Sequence, residues 1–261
     1  MRRLLPALLG LSLVLFFTAV ILNRSKNASA AIATHVVISE IQVAGAIPTD
    51  EFIELYNPTG SDVNLSTWRL GRKTQSGADA TDLVASLSGT IKSHGYFLIA
   101  SDSFSGGISA DVTYASASSS IANNNSVTLY DSLNASVDLV GLESSTASET
   151  ATIGNPSAND SVERKANTSS DATSMGSGGS DELAGNGEDS DNNFSDFVSR
   201  ATPQPQNGQS AVEPVDVTPS ISPTEGPTPT VSPTPTEEPT TTPTTTPTET
   251  PTPTISPSPT P

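Results

Sequence analysis

The sequence contains no cysteine. That removes disulfides, zinc–thiolate sites and cysteine nucleophiles together. Any folded domain here must be held by its core and its polar contacts, which is feasible at roughly 150 residues. Histidine is scarce as well, with only His35 and His94 in 261 residues. His35 opens the first apolar run and His94 sits in the turn Lys92-Ser93-His94-Gly95, so both read as solvated edge or loop residues. A Ser-His-Asp triad or a zinc site would have to be built on one of them. No serine stands in a G-x-S-x-G context, and there is no HxxxH, HxH, phosphate loop or dinucleotide fingerprint. Basic residues are few: Lys+Arg number 11 against 28 Asp+Glu, and Arg2, Arg3, Arg24 and Lys26 all precede residue 34. So acidic a chain repels phosphate backbones, which makes nucleic acid an unfavourable partner. Arg69, Arg72 and Lys73 are the one basic cluster after residue 34, and they read as solvated surface. Aromatics make up 5% and hydrophobics 34%, too little for the whole chain to be packed core. No helical or heptad period occurs after residue 34.

What is present divides the chain into three parts, residues 1–33, 34–207 and 208–261. The first holds Met-Arg-Arg and then the uncharged apolar run of residues 4–22 (Leu4 to Leu22), the form of an export signal. Ala28-Ser29-Ala30 has the small-x-small pattern of a cleavage site, while 19 apolar residues nearly span a bilayer. Cleavage after Ala30 and retention as a transmembrane anchor are both open. In either case Arg2 and Arg3 hold the N-terminus inside, so the remainder is expected on the extracellular side, at the cell surface or secreted. The last part is rich in Pro, Thr, Ser and Glu. It cannot bury enough surface to offset its ordering entropy, and is expected to be a disordered, extended spacer open to O-glycosylation. Membrane attachment is therefore expected only through the N-terminal apolar segment.

Between them lie short apolar runs separated by Gly, Ser, Asn and Asp. The central one is DEFIELYNPTGSDVNLSTWRL, residues 50–70: a strand, an Asn57-Pro58-Thr59-Gly60 turn, and a second strand reaching the only tryptophan, Trp68. In the first strand Ile53 and Leu55 share one face, and Phe52, Glu54 and Tyr56 the other. Glu51 and Glu54 therefore point apart and do not form an acid pair. Val63 and Leu65 have the opposite parity to Trp68 and Leu70, which predicts a bulge or break near Ser66-Thr67. Trp68 reads as core. Further strands are expected at residues 35–43, 95–101 (apolar on both faces), 126–131 and 136–142 (a hairpin), 161–165 and 196–199. Residues 166–193, rich in Ser, Gly, Asp and Asn, read as a long surface loop. Eight or nine short strands with turn signals between them predict an all-β sandwich or barrel.

In this order the segments resemble the lamin tail domain, an immunoglobulin-like β-sandwich. VVISEIQ at residues 36–42 is similar to its first strand. EFIELYNPTGSDVNLSTWRL is similar to its Asn-Pro turn and Leu-x-x-Trp segment, and SGTIKSHGYFLIAS at residues 88–101 to its central strand. SVERK and residues 188–207 are similar to the closing strand and exit of bacterial exported versions. The resemblance spans residues 35–207. The expanded Gly/Ser/Asp loop before Glu188 and the missing coiled-coil rod depart from nuclear lamins. What the resemblance implies is a non-enzymatic interaction module without cofactors or catalytic residues, binding a protein or an envelope polymer. Two alternatives stay open. One is a calcium- or glycan-binding adhesin using Asp189, Asp191 and Asn193, which alternate as at the start of a calcium loop. Phe194 stands where that loop needs Gly, and Arg200 where it needs Glu. The other is an accessory domain of a separately encoded exported hydrolase or nuclease.

Overall fold

The structure is a computed structural model and describes residues 31–77 and 81–214. The apolar run of residues 4–22, the cleavage motif and most of the Pro/Thr segment lie outside the described residues. Among the described residues no helix is long and apolar enough to cross a membrane.

The chain is an immunoglobulin-like β-sandwich. Its strands, in order, are β1 (Ala31–Ile32), β2 (Val37–Gln42), β3 (Phe52–Tyr56), β4 (Val63–Asn64), β5 (Arg69–Lys73), β6 (Thr81–Val84), β7 (Thr90–Ile91), β8 (Tyr96–Ser101), β9 (Val112–Tyr114), β10 (Ser126–Tyr130), β11 (Ser136–Gly141), β12 (Ser161–Arg164), β13 (Glu188–Asp189) and β14 (Phe197–Arg200). A single helical turn, α1 (Asn193–Asp196), precedes β14. A six-stranded sheet runs β14-β12-β2-β3-β8-β9 and a four-stranded sheet β11-β10-β5-β6; β4 pairs with β7 and β1 with β13. Strand β9 adds in parallel to β8, and the other pairings are antiparallel. The expected strands are all found. Strands β6 and β9 and the two-residue strands β1, β7 and β13 were not expected, because they are short and hold few apolar residues.

Period-2 alternation divides β3 as anticipated. Ile53 and Leu55 enter the core with Ile38, Ile41, Phe97 and Ile99, and meet Leu70, Val127, Leu129 and Val140 of the other sheet. Phe52 and Tyr56 pack on the opposite face. The Asn57 side chain makes the corner after β3. Its amide donates to the carbonyls of Ser61 (2.8 Å) and Lys92 (2.9 Å), and its oxygen accepts from the Thr59 amide (3.1 Å). The chain then breaks at the anticipated place. Thr67 takes φ 69°, and β4 pairs with β7 whereas β5 belongs to the four-stranded sheet. Trp68 packs against the core from its rim and is only partly buried.

Two features depart from expectation. Residues 166–193 form an ordered cover rather than a surface excursion, with Ser170, Met175, Asn186 and Glu188 all buried. They are held by side chains that bond to local backbone, such as Asp171 to Thr173 and Ser174, which leaves no hydrophobic period to read. The packed chain also passes residue 208, for Asn207 and Glu213 are both buried. Together these segments cover the outer face of the six-stranded sheet, which an antiparallel sheet commonly leaves to water.

The two sheets are joined by a buried ion pair. Val162 and Arg164 of β12 point inward, and Arg164 Nη2 lies 2.9 Å from the Asp138 carboxylate of β11, both side chains fully buried. Arg164 also donates from Nε to the Ile38 carbonyl (2.9 Å) and from Nη1 to the Glu188 carbonyl (2.9 Å), and its guanidinium lies 4.7 Å from the Phe197 ring centre. Removing one partner strands the other charge in the core. Asp138→Ala is expected to lower unfolding free energy by about 3–5 kcal/mol, measured as the shift in denaturant midpoint. Replacing the pair together (Arg164→Met with Asp138→Leu) is expected to cost far less than the single change.

Candidate functional site

Strand register assembles an acid row on the outer face of the six-stranded sheet. Glu163 of β12 lies opposite Glu40 of β2, and Glu40 opposite Glu54 of β3. Like charges directly opposite one another destabilise a sheet, so the row needs compensation. Arg200 of β14 supplies one cation, its Nε 2.9 Å from Glu163 Oε2. Hydroxyls and amides supply the rest. The Ser39 hydroxyl donates to Glu54 (2.6 Å), the Ser161 hydroxyl to Glu40, and the Asn186 amide to Glu163 (3.0 Å). From residues 202–214, the Gln204 backbone amide reaches Glu40 (3.3 Å) and that of Gln206 reaches Glu54. Glu213 adds a fourth carboxyl, accepting from the Tyr96 hydroxyl (2.9 Å) and the Gln206 side chain (2.9 Å).

Burial is the dominant influence on these acids. It pushes Glu40 up to about 8, aided by the neighbouring Glu163. Burial and then Glu40 hold Glu54 well above the ordinary carboxyl value. Burial also raises Glu163 against the pull of Arg200, and Glu213 against its hydrogen bonds from Tyr96 and Gln206. Beside the row, between residues 175–186 and 204–213, opens a cleft of about 220 Å³ bordered by Glu163, Asn186, Gln206 and Glu213. Its wall offers carboxyls and amides, groups suited to hydrogen-bonding.

Asp189, Asp191 and Asn193 do not converge. Asp189 faces Arg164 Nη1 (3.3 Å) and His35 Nε2 (3.5 Å). Asp191 is exposed with φ 54°, and Asn193 is buried, bonding to Gly141 N (2.9 Å) and the Leu139 carbonyl (2.9 Å) on β11. The three alternate in sequence, but the chain bends at Asp191 (φ 54°) and enters α1 at Asn193, so their side chains diverge. Asp189 instead gathers with Glu149 and Asp196, with carboxylate oxygens within 4.8 Å of one another. That group already faces the Arg164 cation. Burial, with Asp138 next, pushes Glu149 up to about 8, and Asp196 spends its oxygens on Ser190 and Asn192 amides.

The remaining residues singled out in the sequence are structural in their contacts. Glu51 and Glu54 lie apart as expected, Glu51 accepting from the Tyr114 hydroxyl (2.7 Å) and the Ile121 amide (2.8 Å). Arg69 pairs with Asp82 (2.8 Å) and lies over the Tyr130 ring, and Arg72 donates to the Ser120 carbonyl. Among the described residues neither histidine side chain hydrogen-bonds to a hydroxyl. Glu40, Glu163 and Glu213 were missed. The usable signal for Glu40 was an acid within the apolar run VVISEIQV; SVERK, with one apolar residue, carried no such signal for Glu163.

Residues 29–144 match the family model described as Lamin Tail Domain, so this part of the chain is similar to that family. No curated protein matches the chain. The match spans β1 to β11; the acid row draws on both this part and the following residues.

Because folding raises the pKa of Glu40, Glu54, Glu149, Glu163 and Glu213, the folded state holds more protons than the unfolded one. Their contribution to stability is fully present below the unfolded value near 4.5 and is lost as pH rises through about 8. The thermal midpoint is therefore expected to be higher at pH 5 than at pH 8. Glu40→Gln and Glu149→Gln should each flatten that slope, by up to about 1.4 kcal/mol per pH unit per proton. A midpoint that rises from pH 5 to pH 8 would contradict the assignment.

Proposed function

We propose that this chain, which resembles lamin tail domains over residues 29–144, is a non-enzymatic interaction module exposed outside the membrane and continued by a Pro/Thr spacer. The observation that carries the reading is the placement of the polar residues. The buried charges are committed to holding strands and covering segments together, as Asp138 is to Arg164 and Glu51 to Tyr114. What faces outward is loops, a polar cleft and sheet edges. Strands β14 and β6 each end a sheet, with no described strand beyond them. An open edge recognises an extended segment by main-chain hydrogen bonds, without a catalytic group. The partner class is a protein or an envelope polymer. The acidic balance of residues after 34 disfavours nucleic acid.

The N-terminal apolar run supports export, and its length supports either a cleaved signal or an anchor. The Pro/Thr segment lies on the other side of the domain from that run in sequence and would extend outward from it as a spacer.

The gathering of Glu149, Asp189 and Asp196 gives a calcium-dependent adhesin a specific observation in its favour. Melting the chain in millimolar calcium and again in chelator separates the readings: an upward shift with calcium supports the adhesin, and equal midpoints remove calcium from it. The test of the main reading is cosedimentation of the chain without residues 1–30 with envelopes of the source organism. Saturable pelleting, competed by unlabelled protein, is expected. Retention in the supernatant at all concentrations would contradict an envelope partner.

A further inference from the structure

Residues 202–214 cross the outer face of the six-stranded sheet without forming a strand. Within that segment only Asn207 and Glu213 are buried, and both are polar; Val212 is exposed, and Pro203 and Pro205, beside Phe52 and Phe104, are only half-buried. Beyond these two prolines, its attachments to the body are mainly hydrogen bonds. Gln204 N and Gln206 N donate to Glu40 and Glu54, Gly208 N to Asp111 (2.8 Å), and Glu213 N to the His94 carbonyl (2.7 Å). The Asn207 amide donates to the Ser109 carbonyl (2.8 Å), and the hydroxyls of Tyr56 and Tyr96 bond to Glu213. A segment held by few apolar contacts and many polar ones belongs to the low-stability end of a fold. The sandwich beneath has its own core between the sheets, to which residues 202–214 contribute no side chain.

We propose that residues 202–214 are a detachable strap, docked on the carboxyls of Glu40 and Glu54, that opens as a unit while the sandwich stays folded and so bares the acid row. Docking takes these carboxyls out of water, and opening returns them to it. Burial raises both pKa values in the docked state, so docking binds protons and weakens as pH rises. The charged and titratable groups facing the pair are Glu163 on β12, Arg200 on β14, and Tyr56 and Tyr96 on β3 and β8. Glu213 comes from the strap itself, and Asp181 and Glu182 border the neighbouring cleft. Lys92, His94 and Asp111 meet the strap farther along. Among the described residues Arg200 is the one cation at the row and is already paired with Glu163, so ionisation of Glu40 and Glu54 adds charge without adding a counter-charge from them. Sequence continues from the strap directly into the Pro/Thr segment, which makes the strap the junction between domain and spacer.

Amide hydrogen exchange on the full chain, corrected for the intrinsic rate at each pH, tests this. The amides of Gln204, Gln206 and Glu213 are expected to show lower protection than those of Ile53 and Leu55 at pH 6. Their protection should fall by about tenfold per pH unit for each proton released between pH 6 and pH 8. Glu54→Gln should flatten that fall. Gln206→Pro, which removes a strap donor and leaves the carboxyls in place, should deprotect Gln204 and Glu213 and leave Ile53 and Leu55 unchanged. Strap protection equal to that of β3 at both pH values would overturn the proposal. So would strap protection that does not change with pH, or a Gln206→Pro variant in which strap and β3 amides lose protection together.

Discussion

The buried guanidinium of Arg164 is the constraint from which most of this structure follows. A charge with no access to water must find its counter-charge and its hydrogen-bond acceptors inside the protein. Here they come from separate segments: Asp138 on β11, the Ile38 carbonyl on β2, and Glu188 with Asp189 on β13. Burial opposes the charge, yet Asp138, Asp189, Glu149 and Asp196 together outweigh it and hold the Arg164 pKa above its ordinary value. Asp138 also accepts from the Ile38 amide, so the pair takes up both backbone groups of Ile38. That residue lies just past the end of the β2–β12 ladder, which runs only through Ile41 and Glu40, and beside the register shift between Ile38 and Glu40. The shift lets Ile38 and Ile41 both enter the core although they are three residues apart. Glu40 is thereby sent to the outer face.

The acid row is thus a consequence of how the core is closed. Once Glu40 faces outward between Glu54 and Glu163, the face needs donors and a source of protons more than it needs apolar cover. Residues 166–187 supply the Asn186 amide, and residues 202–214 supply backbone amides. Both covers are polar for this reason, and the cleft between them inherits carboxyl and amide walls. The interaction surfaces proposed for the domain lie around this arrangement. Loops and sheet edges face outward, while the ionisable groups inside serve to define the fold.

Much of this was legible in the sequence. Alternation in FIELY set the faces of β3, and the parity conflict between Leu65 and Trp68 located the crossing between sheets. Asn57 announced its corner because a side-chain turn is written in adjacent residues. The resemblance of residues 35–207 to lamin tail domains gave the sandwich its type. What stayed hidden depended on register or on distant partners. Glu40, Glu54 and Glu163 are 14 and 109 residues apart along the chain and meet only through strand pairing. Residues 166–193 hold their shape through side-chain-to-backbone bonds, which have no period. The spacing of Asp189, Asp191 and Asn193 suggested one site, but the helical turn α1 sent Asn193 to the edge of β11 and left Asp189 with Arg164.

The most direct measurement of the central constraint is nitrogen–proton NMR of the Arg164 guanidinium at neutral pH. With Nε bonded to the Ile38 carbonyl and both Nη groups engaged, the account predicts resolved Nη signals, hindered rotation about the Cζ–N bonds and slow exchange with water. Free arginine in the same buffer serves as the fast-exchanging reference. Arg164 signals that exchange and average as fast as those of free arginine would show that the guanidinium is not fixed between the sheets, and would contradict the account.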